Sequence, residues 1–156
     1  MRGRRSAECP VAGSGGGPLS SARSPWPGAS FERSYAAVPT SVRAARAALS
    51  RFAREQRLAD STIDAVTLAV SEAVTNVVVH AYPASGERGR FTLTAAVVQD
   101  ELWVIVSDAG SGLQPRRDSP GLGLGLAIIA RVADGVDLVN SASGGLEVRM
   151  RFAAAG

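Results

Sequence analysis

A glutamate and an asparagine stand one helical turn apart near the middle of the chain, at Glu72 and Asn76. A carboxylate can take a proton from a hydroxyl group, and an asparagine amide oxygen can bind a hard cation such as Mg²⁺. Two glycine-bearing segments follow, residues 108–112 (DAGSG) and 121–125 (GLGLG). Glycine lets the backbone approach a ligand closely, and amides at a helix start bind phosphate. Together these residue types indicate nucleotide chemistry.

Composition limits how phosphate could be held. The chain has 156 residues, 46% of them hydrophobic and 5% aromatic, which favours one globular domain. It contains no lysine, and a Walker-type phosphate loop requires one. Backbone amides, a metal ion or arginine must therefore hold any phosphates.

The basic pI of about 10.0 has a local origin. Residues 1–28 hold four arginines and one acid, and the remainder is net neutral. We therefore expect no nucleic-acid-binding domain. The first 28 residues are rich in Gly, Ser, Pro and Arg and are predicted to be a disordered tail in which Trp26 could dock. Residues 29–156 are predicted to form the domain.

The cysteine count and the apolar segments indicate the cellular compartment that we expect for the protein. Cys9 is the only cysteine, which excludes an internal disulfide and fits a reducing cytoplasm. No apolar segment follows the basic start, and no apolar run approaches the roughly 20 residues of a membrane span. We expect neither a secretory signal nor a membrane segment.

Apolar periodicity predicts the elements that must position the candidate site. A first strand is expected within residues 29–37, and a hydroxyl-capped helix from Pro39 to about Arg57. A second helix is expected to start at Ser61, capped through Asp64. Its buried stripe is predicted to consist of Ile63, Val66, Val70, Val74 and Val77, which leaves Glu72 and Asn76 on the other face.

The second half of the chain predicts two hairpins around one helix. Strands are expected near 90–99 and 101–107, with a turn at residues 99–101, and near 136–141 and 146–152. A helix is expected from Leu122 to Val132, after a loop. Because helices and strands do not alternate, this order predicts an α+β layered sandwich.

The three motifs, in this order, resemble those of the ATP-binding domain shared by gyrase, Hsp90 chaperones, histidine kinases and mismatch-repair ATPases. Within that superfamily the likeness is strongest to the serine-kinase anti-sigma factors. Their first motif reads Glu-x-x-x-Asn, often followed by His-Ala-Tyr, as in Glu72, Asn76 and residues 80–82. Their Asp-x-Gly-x-Gly motif is matched by Asp108, Gly110 and Gly112, and their Gly-x-Gly run by Gly121, Gly123 and Gly125.

The resemblance covers about residues 30–153 and implies a histidine-kinase-like (Bergerat) fold. That fold is a two-layer α/β sandwich in which a mixed, mainly antiparallel sheet is covered on one face by helices. It also implies ATP and Mg²⁺ as cofactors. Asn76 would bind Mg²⁺, Glu72 would be the general base, and Asp108 would accept a hydrogen bond from the adenine amino group. Gly110 and Gly112 would let the backbone pass the base and sugar, and Gly121, Gly123 and Gly125 would present amides to the phosphates.

By the same resemblance the chain is expected to be a cytoplasmic, ATP-dependent serine/threonine kinase. It would bind a sigma factor and phosphorylate a small antagonist protein, without direct contact to nucleic acid or membrane. A homodimer is expected from the resemblance alone.

Two departures from the family pattern leave other functions open. Gly145 is followed by Leu146 where the family usually carries Gly-Thr, and the lost hydroxyl is expected to weaken ATP binding by about 1 kcal/mol or more. Only eight residues, 113–120, separate Gly112 from Gly121. The alternatives are a non-catalytic nucleotide- or partner-binding module, or a detached histidine-kinase catalytic domain. His80, the single histidine, is expected to be a packed or capping residue rather than a phosphoacceptor.

Overall fold

The computed structural model describes residues 26–81, 89–110, 122–141 and 144–154. The elements are β1 (Ser30–Ala36), α1 (Pro39–Glu55), α2 (Asp60–Asn76), β2 (Arg90–Val98), β3 (Glu101–Asp108), α3 (Leu122–Val132), β4 (Gly135–Asn140) and β5 (Leu146–Ala153). The helix α2 continues into a π-helical turn, Val77–Ala81. All elements lie close to their predicted positions.

The five strands form one sheet in the order β1-β2-β3-β5-β4. The predicted α+β sandwich is confirmed. Every neighbouring pair among the described strands is antiparallel, so the sheet is simpler than the mixed one that was expected.

The turn between β2 and β3 sets the register at the centre of the sheet. Gln99 and Asp100 have φ of 48° and 62°, and a two-residue type I′ turn requires positive φ at both positions. Val98 therefore pairs with Glu101, and the pairing runs on to Phe91 opposite Asp108. This register places Asp108 at the end of the sheet where β2 begins.

Both predicted side-chain caps were wrong. The helix α1 starts after Val38 and α2 after Ala59, and neither start has a side-chain cap hydrogen bond. Pro39 occupies the first turn of α1, where its fixed φ suits a helix and its missing N–H costs nothing. Asp60 lies in the first turn of α2 and interacts favourably with the helix dipole. Proline geometry and charge replace the hydroxyl caps.

The main core lies between the helices and one face of the sheet. The predicted stripe of α2 is buried along its whole length, at Ile63, Val66, Val70, Val74 and Val77. It shares this core with Leu49 and Phe52 of α1 and with alternate residues of β3, namely Leu102, Val104 and Val106. Because the stripe points inward, Glu72 and Asn76 lie on the side of α2 that is not buried in the core.

The segment Asp60–Ala81 is long and apolar enough to cross a membrane by length and composition alone. Its apolar stripe packs against the sheet in the main core. The segment also carries Asp64 and Glu72. These properties are those of a core helix with one polar face.

The other face of the sheet carries a second, smaller cluster. Trp26 is buried there with Ala96, Trp103 and Ile105. The guanidinium carbon of Arg151 stands 5.8 Å from the centroid of the Trp103 ring. Trp26 belongs to the segment predicted as a tail, yet it packs on the domain, so the packed part of the chain already includes residue 26.

Candidate functional site

The carboxylate of Glu72 and the amide of Asn76 meet α3 at Gly125. A Cβ built on Gly125 would stand 3.2 Å from Glu72 Oε2, 3.2 Å from Asn76 Nδ2 and 3.3 Å from Asn76 Oδ1. Residues four apart lie on one face of a helix, so α2 presents both polar groups to the same neighbour. The first and third motifs, separated by about fifty residues of sequence, are therefore in contact in the folded chain.

A glycine at position 125 is what permits this contact. Gly125 is buried in α3, where any side chain would compete for space with the two polar groups of α2. Gly123, two residues earlier in α3, is exposed, and a Cβ there would meet no described residue within 4 Å. The two glycines thus differ: Gly125 packs against α2, whereas Gly123 has no such neighbour among the described residues.

Asp108 ends β3 as a buried acid. Its Oδ1 accepts a hydrogen bond from the Gly110 N–H at 2.8 Å. Burial raises the pKa of the Asp108 carboxyl above its ordinary value, and hydrogen bonds from the backbone N–H groups of Gly110 and Leu146 partly oppose that rise. The carboxylate is thus held in a fixed orientation by backbone donors.

Leu146 stands where the family pattern has a threonine, and its backbone N–H lies beside Asp108. The expectation of weaker ATP binding assumed that Asp108 loses a supporting donor together with the threonine hydroxyl. In this chain Asp108 is supported by the backbone N–H of the same residue, Leu146. A backbone donor does not depend on the side chain, so this hydrogen bond is available with leucine as it would be with threonine. It does not replace the threonine hydroxyl, and the weaker ATP binding expected from the loss of that hydroxyl stays a prediction.

Two close backbone approaches surround Asp108. A Cβ on Gly110 would collide with the carbonyl oxygen of Ala81, and it would lie 2.8 Å from the carbonyl carbon of that residue. Gly145 has φ of +89°, and a Cβ there would collide with the carbonyl oxygen of Asp108. Gly110 therefore lets the end of β3 pack closely against the π-helical turn after α2. Gly145 likewise lets the segment before β5 pack closely against the end of β3.

Sequence reasoning did not assign a role to Gly145 or to the π-helical turn. The adjacent glycines 144 and 145 both have positive φ, and a Gly-Gly pair before a strand is the signal that a special backbone conformation is needed. π-Helical turns concentrate at functional sites, but nothing in the sequence of residues 77–81 distinguishes one from a continuing α-helix. His80 lies in this turn and is half-buried.

Two predicted site residues, Gly112 and Gly121, lie outside the described residues. The same is true of the short segment 113–120. The described part brings Glu72, Asn76 and Gly125 together at one place, and Asp108, Gly110 and Gly145 at another. Ala81 ends the segment that begins with α2 and contacts Gly110, so a single helix with its π turn connects both groups.

The donor set fits one magnesium ion with a nucleotide. No group of three His, Cys, Asp or Glu side chains in the described ranges is arranged to hold a metal ion. Magnesium in nucleotide sites takes one or two protein oxygens and completes its shell with phosphate and water. Asn76 Oδ1 is an oxygen of the kind that would hold the ion, and it stands 3.3 Å from the position that a Cβ at Gly125 would occupy.

Comparison with known proteins agrees with this geometry. Residues 35–152 match the family model described as "Histidine kinase-like ATPase domain". The anti-sigma F factor of Clostridium acetobutylicum is 30% identical over 118 residues, which cover 69% of this chain and 81% of that protein. The serine-protein kinase RsbW of Listeria monocytogenes is 33% identical over 117 residues, covering 65% of this chain and 74% of that protein. The RsbW of Bacillus licheniformis is 35% identical over 80 residues, half of its length.

Solved structures show the same fold. A Mycobacterium tuberculosis protein containing RsbU and RsbW domains superposes with a TM-score of 0.64 at 23% identity, over 81% of this chain and 33% of that one. The histidine kinase domain of a blue-light activated histidine kinase from Erythrobacter litoralis gives a TM-score of 0.50 at 26% identity, over 70% of this chain and 61% of that one.

Proposed function

This chain belongs to the histidine kinase-like ATPase family, and within it to the serine-kinase anti-sigma factors; from that premise we propose that it transfers the γ-phosphate of ATP to a serine of a small antagonist protein. The chain also binds a sigma factor in this proposal, and phosphorylation of the antagonist controls that binding. It acts in the cytoplasm, where both partners are found, and it acts as a homodimer.

The observation that carries this proposal is the meeting of Glu72, Asn76 and Gly125. A general base must lie within hydrogen-bond reach of the hydroxyl it deprotonates, and a phosphoryl group must lie beside its metal. Glu72 Oε2 and Asn76 Oδ1 both lie within 3.3 Å of one point on α3. The proposed base and the proposed metal ligand therefore border the same small space, which supports the proposal.

Each residue has a separate task in the reaction. Asp108 accepts a hydrogen bond from the adenine amino group, which guanine lacks at that position. Asn76 would hold Mg²⁺, which would neutralise charge on the phosphates. Glu72 Oε2 takes the proton from the serine hydroxyl as that oxygen attacks the γ-phosphorus. The bond from the γ-phosphorus to the β,γ-bridging oxygen breaks, and ADP leaves with that oxygen. Backbone N–H groups at the start of α3, near Gly123, hold phosphate oxygens.

Nucleotide titration is the first test. Purified protein is titrated by calorimetry with ATP and with GTP in magnesium, alongside Asn76→Ala, Asp108→Asn and Glu72→Gln. We expect ATP to bind and GTP to bind far more weakly. Asn76→Ala and Asp108→Asn should lose ATP, and Glu72→Gln should retain it. Absence of ATP binding by the wild type would refute the proposed site.

Transfer of labelled phosphate to a serine-bearing antagonist then tests catalysis. Glu72→Gln should lower the transfer rate by about 10²–10⁴-fold, the usual contribution of a general base. Asp64→Asn is the matched control, because Asp64 is an exposed acid on the same helix. The product must be acid-stable phosphoserine, whereas phosphohistidine is acid-labile. ATP binding without transfer to any antagonist would identify a non-catalytic module instead.

A further inference from the structure

The polar face of α2 also exposes large apolar side chains. Leu68 is 43% exposed and Val79, in the π-helical turn, is 60% exposed. Thr75 is exposed between them. The other apolar residues of this helix lie in the core or pack against it. Leu68 and Val79 are therefore exceptions to the general burial of apolar residues along this helix.

These three residues flank Glu72 on one side. At about 100° per residue, Leu68 and Thr75 project roughly 40–60° to one side of Glu72, and Asn76 projects about 40° to the other. Val79 follows in the π-helical turn, which rotates less per residue, and it projects to the same side as Leu68 and Thr75. The strip runs for about 16 Å at 1.5 Å per residue, with Glu72 inside its length. Asn76 is on the side of Glu72 that faces Gly125, so the strip is on the opposite side.

Exposed apolar residues are concentrated around this junction. In the part of the chain that the structure describes, the exposed large apolar residues are Val38, Leu68, Val79, Leu124 and Leu138. Leu124, 71% exposed, immediately precedes Gly125, the residue that touches the Glu72 carboxylate. The strip therefore lies on the same helical segment as Glu72, and Leu124 adjoins in sequence the glycine of α3 that packs beside the Glu72 carboxylate.

We propose that Leu68, Thr75 and Val79 form the docking strip for the protein that accepts the phosphate, and that they contact apolar side chains on both sides of its serine. This inference rests on the proposed function. Asn76, the proposed metal ligand, lies on one side of Glu72, so the proposal brings the attacking hydroxyl from the other side, across the strip. A segment that brings a hydroxyl within about 3 Å of Glu72 also covers the residues one turn away, because a turn is about 5.4 Å.

The occupant is therefore a protein segment with a serine between apolar residues. The apolar contacts provide affinity by removing Leu68 and Val79 from water, and Glu72 is the charged group on that face that engages the hydroxyl. A free nucleotide or a small polar alcohol would leave the apolar strip uncovered.

Steady-state phosphate transfer tests the strip. The probe is the serine-bearing antagonist that the wild type phosphorylates fastest in a purified panel. Leu68→Ser and Val79→Ser should each raise KM for that antagonist about three- to tenfold, the effect of losing roughly half the burial of a leucine or valine. Both should leave kcat and ATP affinity unchanged, because binding is equal in ground and transition states.

Two further variants make the result specific. Leu138→Ser is the matched control, since Leu138 is 39% exposed but lies on the edge strand β4, and its KM should equal that of the wild type. Leu68→Met keeps the apolar surface and should keep the wild-type KM. An unchanged KM in both serine variants overturns the proposal.

Measuring the oligomeric state distinguishes the proposal from a competing explanation, in which a second copy of the chain covers the strip. The same variants are sedimented with the wild type, and their association should not change. Conversion of a dimer to a monomer by Leu68→Ser would mean that a second copy of the chain covers the strip, and would overturn the proposal. A wild type that phosphorylates no antagonist is a failure of the proposed function, and the inference then fails with it.

Discussion

Gly125→Ala tests whether the contact between α2 and α3 serves catalysis or only packing. The change adds one methyl group at the point where Glu72 and Asn76 converge. That methyl would stand 3.2–3.3 Å from three polar atoms of these side chains, whereas comfortable contacts are about 3.5–4.0 Å. All three atoms are tips of flexible side chains, which must move by a few tenths of an ångström.

The effect on stability is expected to be small. Replacing glycine by alanine inside a helix contributes about 0.5–1 kcal/mol of stability. Displacing two side-chain tips costs a similar amount. The melting temperature should thus stay within about 4 °C of the wild type, since 1 kcal/mol corresponds to roughly 2–4 °C for a chain of this size.

The effect on transfer is expected to be large. A misplacement of about 1 Å can cost on the order of 100-fold in rate, and the methyl also occupies the space beside the metal ligand. We expect transfer of labelled phosphate to fall at least about tenfold while thermal unfolding is nearly unchanged. Ala127→Gly calibrates the helix contribution, because Ala127 is exposed on α3. It should lose about 0.5–1 kcal/mol of stability and retain transfer.

Two results would refute this reasoning. Wild-type transfer by Gly125→Ala would show that the Glu72–Asn76–Gly125 junction does not hold the reacting groups. A melting temperature lowered by much more than 4 °C would show that the junction is rigidly packed, so that lost transfer would report unfolding instead of misplacement.

Four further predictions concern residues outside the Glu72–Asn76–Gly125 junction. Gly145→Ala should lower the free energy of unfolding in urea by at least about 1–3 kcal/mol, because φ is +89° and the new Cβ would meet the backbone of Asp108. Gly144→Ala should cost less, since Gly144 has a similar φ of +87° but its nearest contact would be at 3.5 Å. Equal losses in the two variants would contradict the contact argument. Asp108 has a pKa raised by burial, so ATP affinity should fall as the pH is lowered through that pKa. The same raised pKa also affects folding stability. Protonated Asp108 favours the folded state, so this stabilisation is present below the unfolded-state pKa near 3.8 and is lost as the pH rises through the folded-state pKa. The stability of Asp108→Asn relative to the wild type should thus be greater at pH 7 than at pH 3.5 in pH-dependent unfolding, and a constant difference would contradict this. Trp26→Ala should lower stability by about 2–4 kcal/mol in fluorescence-monitored unfolding, since Trp26 is buried against Trp103; an unchanged midpoint would show that residue 26 contributes no packing.

The elements of this fold are predictable where one local period dominates. The stripe of α2, the helix near Leu122 to Val132 and the turn at residues 99–101 follow from repeats of 3.6 or 2 residues and from turn chemistry. Prediction failed at the helix starts, because a cap depends on which residue packs at the first turn and not on hydroxyls nearby. It left open whether Trp26 docks on the domain, because a single aromatic residue carries no periodicity.

The sequence by itself determined the chemistry that is available: a carboxylate and an amide one turn apart at Glu72 and Asn76, a strand-ending acid at Asp108, and no lysine for a phosphate loop. These follow from residue type and from spacing along one helix, which backbone geometry sets. Only the tertiary structure decided that Gly125 touches both side chains of α2, and that Leu146 supports Asp108 through its backbone. Such contacts join segments far apart in the chain, and they depend on how β3, β5 and the helices pack, which no local pattern records.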